Sequence, residues 1–93
     1  MPYIKSEQRE CIDGAIDNLI CDLKAMPDFN ENKAGILNYL VTRFCIGTTD
    51  TVSYARINEL VGMLECCKLE LYRRVAGIYE DKKATLNGDV YPQ

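Results

Sequence analysis

The run SYARINELVGMLECCKLELYRRVAGIYEDKK, residues 53 to 83, decides the fold of this chain. It contains no proline. Ile57, Leu60, Val61, Leu64, Leu71, Val75 and Ile78 recur in steps of three and four, the spacing that places side chains on one face of an α-helix. The spacing predicts a long helix over about 53 to 83. So long a helix in so small a protein either projects from the domain or pairs with a second copy. Gly62 and Gly77 interrupt it, each at a cost of up to about 1 kcal/mol relative to alanine. Gly62 is either a weak point or a place of close helix approach, and Gly77 is a candidate kink.

Two shorter helices are expected upstream. Ile16, Leu19, Ile20, Leu23 and Met26 make one amphipathic stripe, over about 13 to 26. Ser6 is a candidate cap for a short preceding turn, and Asp13 for the main helix. Pro27 should end the element. Ile36, Leu37, Leu40, Val41 and Phe44 form a second stripe, over about 31 to 46, with Gly47 as a natural C′ residue. Asn87-Gly88 reads as a turn, and residues 87 to 93 as an extended tail. Together these predict an all-α fold. We expect a single domain over 1–93, a small bundle of about three helices with one long C-terminal helix, completed by oligomerisation. A chain of 93 residues buries a modest share of its surface alone, so self-association would relieve a marginal core.

Composition narrows the function. The net charge is -3, and the cations are scattered, which disfavours duplex nucleic acid as a partner. No apolar leader follows Met1-Pro2-Tyr3-Ile4-Lys5, and no apolar run approaches membrane-spanning length. The five cysteines include an adjacent pair, Cys66-Cys67, and fit no disulfide or zinc framework. They read as reduced thiols, so a cytoplasmic location is expected. There is no histidine, which removes the commonest general base and metal ligand. No glycine-rich phosphate loop occurs. We expect no catalysis, no cofactor and no resident metal.

Candidate binding residues lie on two helices. Lys68 falls four residues after Leu64 and three before Leu71, on or beside the apolar stripe. Glu65 and Tyr72 are its helical neighbours. Either Lys68 snorkels with a wet head, or Glu65, Lys68 and Tyr72 form a partly buried cluster at an interface or pocket wall. Arg73 and Arg74 adjoin Glu70, giving either exposed ion pairs or an anion grip. The middle helix offers Asn38, Tyr39 and Arg43. Six tyrosines supply most of the aromatics, a bias suited to interfaces. Tyr3 and Tyr91 lie in the terminal segments, which suggests that both tails dock on the helices.

The segments MPYI at 1–4, LNY at 37–39 with Thr42-Arg43, YARINE at 54–59, GMLE at 62–65, ELYRRV at 70–75, YEDKK at 79–83 and NGDVY at 87–91 resemble an uncharacterised family of short proteins. These are encoded by bacteriophages, prophages and bacteria. The resemblance spans nearly the whole chain and implies no catalytic residue. It implies a phage setting, in which small helical oligomers include sponges for nucleotide immune signals and adaptors that block host proteins. Two functions are therefore expected. One is an oligomer binding a small anionic or nucleotide ligand through Asn38, Tyr39, Arg43, Glu65, Lys68, Tyr72 and Arg73. The other is an assembly module that binds a host or phage protein through its long helix.

Overall fold

The computed structural model describes residues 3–92. These residues are helical throughout, apart from turns and ends, and contain no strand. Helix α1 spans Ser6–Lys24 and α2 spans Lys33–Gly47. A continuous helical stretch of 34 residues follows. It consists of α3 (Tyr54–Leu71), a π-helical turn (Tyr72–Ala76) and α4 (Gly77–Asn87). The expectation of three helices, the last one long, matches this order.

Helix α1 starts well before the expected 13. The reason lies in its first turn. The Lys5 carbonyl accepts the N–H groups of Gln8 and Arg9 at 3.0 and 3.1 Å. The Lys5 N–H donates to Gln8 Oε1 at 3.2 Å, and Arg9 Nε donates to the Ile4 carbonyl at 2.9 Å. Ser6 is thus inside the helix rather than capping it. Asp13 and Gly14 are interior residues, not a break. Once a helix is nucleated, one glycine costs less than a second nucleation.

Residues 25 to 32 form successive turns, with Asn32 N–H bonded to the Asp28 and Phe29 carbonyls at 3.2 Å. Glu31 lies in these turns, so α2 starts two residues later than expected. Gly47 is the last residue of α2 rather than its C′ residue. Threonine hydroxyls do the capping instead: Thr48 Oγ1 donates to the Phe44 carbonyl at 2.6 Å and Thr49 Oγ1 to Cys45 at 2.7 Å. The Thr49 hydroxyl thereby supplies a donor to a last-turn carbonyl, and the Thr48 hydroxyl adds a second donor to the Phe44 carbonyl, which also accepts the Thr48 N–H at 3.2 Å. Ser53 Oγ accepts the Arg56 N–H at 3.2 Å and caps α3.

The long stretch continues one turn beyond the expected 83. It stops at Gly88, whose φ of 89 and ψ of 138 suit glycine alone. Gly88 N–H closes the helix on the Ala84 carbonyl at 2.9 Å. Asp89 Oδ1 then accepts the Tyr91 N–H at 2.9 Å, an Asx-type turn. At the π turn, Gly77 N–H reaches back five residues to the Tyr72 carbonyl. Gly77 therefore marks a local widening of the helix.

The chain divides into two compact units. One runs through Arg56 and holds α1 and α2; the other runs from Ile57 and holds the rest of the long stretch. In the first, Leu19, Leu23, Ile36 and Leu40 are half-buried. In the second, Leu60, Glu70, Ala76, Gly77 and Ala84 are. No described residue is fully buried.

Candidate functional site

In the first unit, α2 carries Asn38, Tyr39 and Arg43. The Asn38 carbonyl accepts the Thr42 hydroxyl at 2.8 Å, and its side chain lies on an exposed face. Tyr39 and Arg43 are one helical turn apart and touch. Arg43 Nη1 donates to the Tyr39 hydroxyl at 2.8 Å, and its guanidinium carbon lies 5.7 Å from the ring centroid. The arrangement combines a hydrogen bond with a cation–π contact. Neither atom pair neutralises the Arg43 charge.

Tyr39 also borders an open cavity of about 600 Å³ between the end of α1 and the start of α2. Leu23, Met26, Gly35, Ile36 and Leu40 line it, with Glu31 and Asn32 at its polar edge. Sequence reading places Leu23, Met26, Ile36 and Leu40 on apolar stripes but gives no sign of a cavity. Nothing in a helical period tells a filled interface from an open one.

In the second unit, Lys68 Nζ lies 3.0 Å from Glu65 Oε1, with the two side chains 68% and 55% exposed. Tyr72 is 64% exposed and opens the π turn. Within one chain this group is a surface ion pair beside a tyrosine, and Lys68 has its head in water. Such a pair contributes at most about 1 kcal/mol. Arg73 Nη2 donates to both Glu70 oxygens at 3.0 and 3.1 Å, and Arg74 Nε donates to Glu70 Oε1 at 3.1 Å. The Glu70 side chain is only 20% exposed, so this carboxylate anchors both arginines along the helix. It engages Arg73 through Nη2 and offsets the charge that an anion grip by Arg73 would use.

All five cysteines are free thiols, Cys45 half-buried and the others exposed. Among the described residues no group of three histidine, cysteine, aspartate or glutamate side chains is placed to hold a metal. No helix of the described residues is long and apolar enough to cross a membrane. Tyr91 lines a hollow of about 400 Å³ with Glu80, Asp81 and Lys83 of α4, so this tail turns back along its own helix end. Tyr91 nonetheless remains 77% exposed and Tyr3 57%, so neither ring is sequestered.

These features define a class: a small all-helical protein with surface ion pairs, free thiols and large apolar side chains exposed. The chain belongs to the family described as "Domain of unknown function (DUF6899)", which matches residues 1–90. No curated protein and no solved structure matches it.

Proposed function

We propose that this chain is a non-enzymatic, self-associating helical module that acts by binding a protein partner through its long helix. The observation that carries this reading is the exposure of its apolar side chains. On the long stretch Val61, Leu71 and Val75 are 60–65% exposed. Tyrosines 54, 72 and 79 on the long stretch supply aromatic area with a polar tip, as interfaces favour. Native mass spectrometry of the freshly purified protein tests the reading. Oligomers are expected. A single species near 10.6 kDa at high concentration would overturn it.

A second reading is favoured by Arg43. Of the nominated cations, Lys68 and Arg73 are engaged by carboxylates, whereas Arg43 is held by a neutral tyrosine. A ring beside a guanidinium suits a base and its phosphate. On this reading a phage-encoded oligomer in the bacterial cytoplasm sequesters a small anionic signal of nucleotide type. Thermal-shift and calorimetric titration with linear and cyclic nucleotides tests it. Binding should be lost in Arg43→Ala and kept in Lys68→Ala. No response to any nucleotide at saturation refutes it.

A further inference from the structure

We infer that two copies of this chain pair in parallel along one seam running from Ile57 to Ile78, and that pairing draws the π turn at Tyr72–Ala76 into regular α-helix. The inference rests on the self-association proposed above and specifies its surface.

Ile57, Val61, Leu64, Lys68, Leu71, Val75 and Ile78 are separated by alternating steps of four and three. That is a heptad pattern with Ile57, Leu64, Leu71 and Ile78 at one core position and Val61, Lys68 and Val75 at the other. β-Branched residues at a with leucine at d, as at Val61 with Leu64 and Leu71 with Val75, favour two parallel strands, and one lysine at an a position specifies register. The six apolar members are 40–65% exposed in the single chain. Lys68 brings Glu65 with it at 3.0 Å, so an in-register lysine layer is already neutralised. After Ile78 the same positions hold Lys82 and Thr85, and the apolar seam ends. Tyr72 and Tyr79 flank it. A second copy is the occupant that such a seam matches, because its pattern is its own complement.

The π turn breaks this line in the single chain. One extra residue in a helical turn rotates everything beyond it by about 100°. Val75 and Ile78 are thereby carried off the line of Ile57, Val61 and Leu64. Yet the spacing of the sequence runs through Tyr72–Ala76 without a skipped residue. A seam built for a permanent π turn would carry one. A regular helix restores the alignment and joins the two halves of the seam.

The test is disulfide capture in the full chain. The five cysteines are replaced by serine, and Ile57→Cys or Ile78→Cys is introduced alone; the control keeps only Cys66, which faces away from the seam. Circular dichroism first checks that each variant is helical. Both seam variants should form covalent dimers at least about tenfold faster than the control, because core layers of a parallel pair meet disulfide geometry. Linking at Ile57 but not at Ile78 shows that the seam stops at the π turn and overturns the inference. Linking at neither, in a protein whose mass is oligomeric, overturns it while leaving self-association standing. A monomeric mass overturns both. If the serine background does not fold, the native-cysteine chain gives the same information. Leu64→Lys should then lower the mass to 10.6 kDa, and Met63→Lys, one residue off the seam, should not. Equal effects of the two overturn the seam.

Discussion

Replacing Gly62 by alanine separates two arrangements of the long helix. Gly62 is in the middle of α3, and a Cβ built on it meets nothing within 4 Å. It falls one residue after Val61 and therefore outside the proposed seam. Alanine at an open helix position is favoured over glycine by about 0.8–1.0 kcal/mol. A two-copy assembly contains the substitution twice, which doubles the gain to about 2 kcal/mol per pair. For a chain of this size each kcal/mol corresponds to about 4–8 °C in melting temperature. Thermal melts followed by circular dichroism, at one fixed protein concentration, should therefore show a clear rise for Gly62→Ala. The oligomer mass should not change. The opposite outcome is equally informative. If another chain's backbone lies against Gly62, the added methyl overpacks the contact and costs about 1–3 kcal/mol. A lower melting temperature, or a smaller oligomer, would place the interface on the Gly62 face and refute a seam through Ile57, Val61 and Leu64.

Two further substitutions probe local features. Glu70→Gln removes the carboxylate that Arg73 and Arg74 share; stability should fall by no more than about 1 kcal/mol in denaturant titrations, and the difference should shrink in high salt. A fall that salt does not reduce would mean that Glu70 acts by packing rather than charge. Gly88→Ala forces a side chain into a φ of 89, a strain of about 1–3 kcal/mol. Because the residues after Gly88 are exposed, the cost should appear as faster amide exchange in the last turn of α4, with the main thermal transition unmoved.

The parts of the fold legible in the sequence are those that a period of 3.6 carries. The stripe from Ile16 to Leu23, that from Ile36 to Phe44 and the unbroken proline-free run after Ser53 each correspond to a helix, whereas Met26, expected in the first of them, lies in the turns after Lys24. What escaped sequence reading is set by single hydrogen bonds. The start of α1 depends on Gln8 reaching back to Lys5, a cap without a serine or aspartate to announce it. The end of α2 depends on two threonine hydroxyls rather than on Gly47. Among the candidate site residues, Glu65 with Lys68 and Tyr39 with Arg43 follow from helical neighbourhood alone. The cavity beside Tyr39 does not, since residues on one stripe line an open space or a filled one with the same spacing.

The π turn is the place where sequence and backbone disagree. Local pattern and global structure normally agree in natural proteins, and conflicts between them concentrate where context decides the outcome. Here the sequence keeps heptad spacing from Ile57 to Ile78, whereas the backbone of the single chain inserts a wide turn at Tyr72–Ala76. In the single chain the seam residues on both sides of the turn are exposed. Once a partner covers one half of the seam, each apolar side chain brought into line removes further area from water, at roughly 25 cal/mol per Å². The balance at residues 72–76 therefore depends on whether the chain is paired. If the proposed pairing holds, the second copy sets the register at residues 72–76, and the proposed binding role belongs to the pair rather than to one copy.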